Sequence, residues 1–206
     1  FNVYGDQEGA ERTIPYDLIP RVIEKKQWEK ISLGCAQRVK ALNLFLDDIY
    51  HGQNILKEGL IPAQQVIAHE AFQPHMLKHH LKGKVYSQIS GIDIIRDGQG
   101  DFFVLEDNLR TPSGVSYMIE SRKISQKLMP DLCTSNNLQG IEQYPTLLRA
   151  ILEENAYVDK PLIVVLTPGR FNSAYYEHSF LAREMDVPLV TSRDLFVEND
   201  RVFVKT

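Results

Sequence analysis

The clearest pattern in the chain is one apolar stripe. Trp28, Ile31, Cys35, Val39, Leu42, Leu46 and Ile49 recur at steps of three and four, which puts them on one face of an amphipathic, core-packing helix. Gly52 is its expected stop. The residues before it, to about Arg21, are polar and turn-rich, with Gly5, Gly9, Pro15 and Pro20. Residues 62–68 and the stretch around Met76 predict short helices or loops. The period then changes. Residues 85–96 are rich in β-branched side chains, Asp97-Gly98-Gln99-Gly100 signals a turn, and residues 101–108 resume the extended pattern. Together they predict a β-hairpin. A loop over 109–113 leads to a helix over 115–128, which Pro130 ends. Residues 131–140 are polar and read as a linker. A helix over 146–155 follows, then a buried strand over 162–166, a Pro168-Gly169 loop, a helix over 174–185 and a strand over 188–190. That order is a β-α-β unit, with a parallel pair and a right-handed crossover. A last hairpin, 195–204, turns at Asn199-Asp200. No internal repeat or low-complexity tract interrupts the sequence.

The first hairpin carries the chemistry. Side chains alternate along a strand, so Glu106 and Asn108 share a face. Asp93 lies on the partner strand, about level with Glu106 if the turn is short. Two carboxylates and an amide oxygen form a hard donor set suited to Mg²⁺, which takes one or two carboxylates and completes its shell with water and phosphate. Two carboxylates held together without a cation would repel or force one to protonate. Arg110, just beyond, can grip phosphate or carboxylate through two parallel hydrogen bonds. Thr111-Pro112-Ser113-Gly114 opens a helix, whose first N–H groups and dipole offer an anion site, with Ser113 as the natural N-cap. Metal ligands, an arginine and an anion-binding helix start are the parts phosphoryl transfer needs. The bland alternative is a solvated hairpin followed by a capped helix.

The block Glu106-Asp-Asn-Leu-Arg-Thr-Pro-Ser-Gly114, with Gly91-Ile-Asp93 before it, resembles the circularly permuted ATP-grasp family related to glutathionylspermidine synthase. Tyr4-Gly-Asp6, Glu11-Arg12, Pro15-Tyr-Asp17 and Ile19-Pro-Arg21 share the likeness. So do Phe45-Leu-Asp-Asp-Ile-Tyr-His51, Thr167-Pro-Gly-Arg170 and Ser173-Ala-Tyr-Tyr-Glu-His178. The resemblance implies a ligase that activates a carboxylate as an acyl phosphate, which an amine then attacks, with ATP and Mg²⁺ as cofactors. It implies Asp93, Glu106 and Asn108 as metal ligands. Arg110 matches a catalytic position, and Arg110, Ser113 and Gly114 match the phosphate-facing loop. In such relatives the adenine-binding lysines and a further acidic ligand come later in the chain. The first residue is Phe1, and Arg201-Val-Phe-Val-Lys205 reads as a strand at the other end. The expectation is therefore a fragment cut before the rest of the ATP-grasp domain, and its activity in isolation is left open. Glutathionylspermidine-forming relatives carry a longer, arginine-containing strand before Asp93, where Gly91 stands here, which leaves the substrate open.

The fold expectation is α/β, a mixed α+β chain. It joins a permuted ATP-grasp-like hairpin and helix to a small β-α-β, Rossmann-like substrate domain. Three segments are expected: a helical one at 1–60, a metal-binding one at 61–130 and the β-α-β one at 131–206. Loops at the carboxyl ends of parallel strands bind ligands in open α/β sheets, so Arg170, Asn172 and Ser173, with Ser113, are candidate substrate contacts. The adjacent Glu177 and His178 read as a surface helix pair, while Tyr175, Tyr176 and Phe180 read as packing. His69, His75, His79 and His80 are close in sequence but lack zinc-ligand spacing.

A net charge of −4 over 206 residues offers no field for a nucleic-acid backbone. The longest apolar run, 162–166, is too short for a bilayer. The two cysteines, Cys35 and Cys133, show no metal-ligand spacing, and a cytoplasmic setting is expected. The expected partners are a small-molecule or peptide carboxylate and an amine. Two other readings stand beside the ligase: a non-catalytic nucleotide- or peptide-binding module on the same scaffold, and metal-assisted hydrolysis by Asp93 and Glu106.

Overall fold

The computed structural model describes residues 2–4, 11–13, 15–17 and 19–205. Gly5, Asp6 and Gly9, which figure in the expected turns and in the family likeness, lie outside the described residues. In chain order the elements are β1 (Asn2–Tyr4), β2 (Glu11–Thr13), α1 (Lys25–Tyr50), α2 (Asn54–Lys57), α3 (Ala63–Ile67), β3 (Gly91–Arg96) and β4 (Phe102–Asn108). Then come α4 (Val115–Leu128), α5 (Pro130–Ser135), α6 (Tyr144–Glu154), β5 (Val165–Leu166), α7 (Tyr175–Glu184), β6 (Leu189–Val190), β7 (Leu195–Glu198) and β8 (Arg201–Val204). β1 pairs with β2 antiparallel, within the segment expected to be turns. Among the described residues no helix is long and apolar enough to cross a membrane.

The chain forms two compact units, Arg21–Pro112 and Phe1–Pro20 with Ser113–Thr206. The long helix and the carboxylate hairpin, placed above in separate segments, therefore share one unit.

In the Arg21–Pro112 unit, α1 opens where Glu24 N–H donates to Gln27 Oε1 at 3.2 Å. Its stripe is buried at Ile31 and Ile49. Cys35, expected in the core, is only half-buried, and Trp28 is 45% exposed. Buried Asn43 explains why the hairpin starts later than expected. Its Oδ1 accepts the Tyr86 and Ser87 N–H groups at 2.6 and 2.9 Å, and its Nδ2 donates to the Ser87 carbonyl at 3.3 Å. The backbone at 86–87 is thus tied to α1 rather than to a neighbouring strand, and β3 begins at Gly91.

β3 and β4 pair antiparallel with Gly91 opposite Asn108, Ile92 opposite Asp107 and Asp93 opposite Glu106. Beyond Asp93 the register shifts, so Ile94 meets Val104 and Leu105 is the extra residue of a bulge. The tight end is held by Asp97, whose Oδ1 accepts the Gln99 and Asp101 N–H groups at 2.9 and 2.8 Å.

In the other unit, β5 and β6 pair parallel with α7 between them in sequence, as the β-α-β pattern predicts. β5 is shorter than the expected 162–166. The β6 side of the ladder ends at Pro188, which accepts from Val165 N–H at 2.9 Å but has no N–H to return. Phe180, 1% exposed, is the largest fully buried side chain among the described residues. Pro130 does not close the chain into a linker. It occupies the first turn of α5, where a missing N–H costs nothing. The β7–β8 hairpin turns at Asn199 and Asp200, with φ of 49° and 58°, the left-handed pair of a two-residue hairpin loop.

Candidate metal and anion sites

Asp93 and Glu106 are direct cross-strand partners, and Asn108 lies two residues along from Glu106. All three side chains therefore project from one face of the hairpin. Each is exposed. Asn108 Nδ2 donates to Glu106 Oε1 at 3.2 Å, so these two are in contact. Among the described residues neither Asp93 nor Glu106 has an ion-pair partner. Like charges directly opposite on a ladder are destabilising, and a divalent cation relieves that repulsion. The donor set therefore fits Mg²⁺. No group of three His, Cys, Asp or Glu suited to a metal occurs among the described residues, and the third candidate donor on this face is the Asn108 amide.

Gly91 lies opposite Asn108, where a Cβ would stand 2.9 Å from Pro112 Cβ and 3.4 Å from Asn108 Cβ. Only a glycine lets the loop close this tightly over the strand. Arg110, on that loop, is exposed and, among the described residues, unpaired. The opposite face of the hairpin meets α1 through Asp107. There Asp107 takes a forked ion pair from Arg38, with Nε and Nη2 2.6–2.9 Å from its oxygens. The Arg38 fork, above all, holds the Asp107 carboxyl below the usual carboxylate range.

The second set of candidates lies in the other unit. The helix start expected to receive an outside anion already holds one. The Glu177 carboxylate accepts the Gly114 N–H at 2.7 Å, the Ser116 N–H at 3.2 Å and the Ser116 hydroxyl at 2.7 Å. Glu177 is 4% exposed, not a surface residue. A carboxylate at a helix N-terminus satisfies orphan donors and the dipole together. The N-cap is Gly114, at φ 109°, rather than Ser113, which is exposed.

Glu177 belongs to the first turn of α7, just after the loop that holds Arg170, Asn172 and Ser173. Its bonds bring the start of α4 and that loop into one neighbourhood. Arg170 stacks its guanidinium 4.8 Å from the Phe171 ring centre. Asn172 Oδ1 accepts the Ala174 N–H at 3.0 Å, which shapes the entry to α7. Ser173 is exposed. His178 Nδ1 lies 3.0 Å from Thr167 Oγ1, which also accepts the Gly169 N–H at 3.2 Å. Tyr176 packs against Tyr117 at 5.3 Å. Burial, and then the Glu177 charge, raise the Tyr117 and Tyr144 hydroxyls above the usual phenol range. Among the other histidines, His69 Nδ1 accepts the Ala71 N–H at 3.1 Å and His80 stacks on His51 at 4.3 Å.

Sequence reasoning missed Glu177, Arg38 and Asp107. Glu177 had a readable signal, since it shares the α7 face of Phe180 and Leu181 at steps of three and four. Arg38 and Asp107 are 69 residues apart and had none.

Small sheets among helices make this a mixed fold, consistent with an α/β fold of the ATP-grasp type. The chain belongs to the circularly permuted ATP-grasp type 2 family, which it matches over residues 20–206. An uncharacterized protein of Synechocystis is 44% identical over 208 residues, covering 100% of this chain and 43% of its own length. An uncharacterized protein of Mycobacterium tuberculosis is 45% identical over 200 residues, 96% of this chain and 36% of its own. A Frankia casuarinae protein provisionally named glutamate–cysteine ligase 2-2 is 36% identical over 205 residues, 98% of this chain and 24% of its own. The chain thus spans less than half the length of these curated relatives.

Proposed function

We propose that this chain supplies the magnesium-holding part of an ATP-dependent ligase joining a carboxylate to an amine, of glutathionylspermidine synthase-like type. The observation that carries this reading is the pair of carboxylates, Asp93 and Glu106, directly opposed across a ladder with no cationic partner among the described residues. Family membership and the provisionally named glutamate–cysteine ligase relatives support the reaction class, because that reaction also joins a carboxylate to an amine.

Asp93, Glu106 and Asn108 would hold Mg²⁺, which when bound neutralises phosphate charge and orients it for transfer. Arg110 meets the transferring phosphate. In the reaction a substrate carboxylate oxygen attacks the terminal phosphorus of ATP and ADP leaves. The amine nitrogen then attacks the acyl carbon, loses a proton and expels phosphate. Ser113, Arg170, Asn172 and Ser173 contact the carboxylate or amine substrate, a small molecule or peptide. The Gly114 N–H serves Glu177 instead, and its part is to shape the loop. On this reading the protein works in the cytoplasm, in keeping with its free cysteines Cys35 and Cys133, and takes neither nucleic acid nor membrane as partner.

In the full-length protein, Glu106→Gln and Asn108→Ala should each abolish Mg-ATP turnover while circular dichroism stays unchanged. Wild-type turnover in both would remove these residues from the metal site. Mg-ATP binding without a new amide by mass spectrometry would favour the binding module instead.

A further inference from the structure

We propose that Arg38 is a positioning residue for the cation site, setting which face of β4 presents Glu106 and Asn108. The inference rests on the metal reading above.

A strand slipped by one residue turns every side chain to the other face. In β4 such a slip would turn Glu106 and Asn108 toward α1 and bring Asp107 to the open side. Hydrophobic patterning alone guards poorly against it. Ile95, Phe103 and Leu105 are 43, 53 and 64% exposed, and Val104, paired with Ile94 on the α1 side, is still 37% exposed. Apolar side chains thus stand on both faces of β4, with only Ile92 and Ile94 of β3 half-buried on the Asp107 side, and the turn closed by Asp97 fixes the register only as far as the bulge. The bulge at Leu105, immediately before Glu106, supplies the slack.

The polar contact that breaks this near-symmetry is the Arg38–Asp107 fork. Asp107 lies between the two candidate ligands in sequence and opposite Ile92 in register. Both of its oxygens are taken by Arg38 of α1, and its side chain is 15% exposed. The planar guanidinium fixes direction as well as charge, which a lysine would not do. The same contact keeps a third carboxylate off the cation face, where it would add repulsion and offer a competing ligand.

The test uses the full-length protein, with Mn²⁺ and AMP-PNP as probes and free Mn²⁺ read by electron paramagnetic resonance. Arg38→Ala and Arg38→Lys should each weaken Mn²⁺ binding by about tenfold or more, the usual cost of losing a residue that orients a ligand. The reversed pair, Arg38→Asp with Asp107→Arg, should restore most of that affinity. Glu106→Gln is the control. If Glu106→Gln weakens Mn²⁺ binding but both Arg38 variants bind as wild type, or lose only thermal stability, the positioning role is overturned. Failure of the reversed pair to recover affinity overturns it too. If Glu106→Gln itself binds Mn²⁺ as wild type, the metal reading falls instead.

Discussion

Replacing Glu177 by alanine would strip three donors at once. The Gly114 N–H, the Ser116 N–H and the Ser116 hydroxyl would all lose their acceptor. Ser116 is fully buried, so water cannot reach its two donors without opening the α4–α7 contact. An orphaned buried donor costs about 1–3 kcal/mol. Two such donors, with the half-buried Gly114 counted at the low end, give about 3–7 kcal/mol. The carboxylate at the helix start adds roughly 0.3–1 kcal/mol more. Set against a typical total of about 5–15 kcal/mol, this is a large fraction. With a urea slope of about 2 kcal/mol/M, a loss of 4 kcal/mol moves the midpoint down by about 2 M. Glu177→Gln keeps the shape but turns an amide N–H₂ toward N–H donors, and should cost about 1–3 kcal/mol. Urea unfolding followed by circular dichroism measures both, and hydrogen exchange at the Ser116 amide should accelerate in step. A loss below about 1 kcal/mol in Glu177→Ala, at unchanged slope, would refute the account, because the donors would then have found other partners.

Gly91→Ala places a methyl 2.9 Å from Pro112 Cβ and 3.4 Å from Asn108 Cβ; overpacking of this kind costs about 1–3 kcal/mol. It should also weaken Mn²⁺ binding by shifting Asn108, and a variant with wild-type stability and affinity would show that the loop yields freely. The pH dependence has two limbs. The carboxyls of Asp47, Asp48, Asp107 and Asp194 are held below the usual range by hydrogen bonds, first from Lys84, the Ile55 and Asn54 backbone, Arg38 and the Thr191 backbone respectively. Their folded values lie below the unfolded ones, so their stabilisation is present above about pH 4 and is lost as pH falls through the folded values. Burial raises the Tyr86 and Tyr144 hydroxyls. Their stabilisation is present below about pH 10 and fades as pH rises through the folded values. Urea midpoints at pH 7, 3 and 11 check both limbs; a midpoint at pH 3 equal to that at pH 7 would contradict the first.

How much of the candidate site was legible depends on the range of the forces involved. The co-facial arrangement of Glu106 and Asn108 follows from the two-residue period of a strand, a local property. The level of Asp93 followed from a short turn, which Asp97 closes through its own backbone neighbours. Glu177 was misplaced because its polar neighbour His178 was read with it as solvent-facing, although its spacing from Phe180 and Leu181 put it on the packed face. Its burial depends on a second helix start that only the folded chain brings to it.

The sequence by itself determined the elements whose signals are local: the striped α1, both antiparallel hairpins with their turn residues, the order β5-α7-β6, and the cluster of hard oxygen donors around Glu106. Tertiary structure alone decided which backbone donors remained open. Asn43 took the amides that would have lengthened β3, Glu177 took those that would have met an outside anion, and Arg38 took the acid between Glu106 and Asn108. Each of these is a polar group finding its partner 43 to 69 residues away. Hydrophobic period tells where a side chain faces, but hydrogen-bond partners are chosen only when distant segments meet and every buried donor must be satisfied.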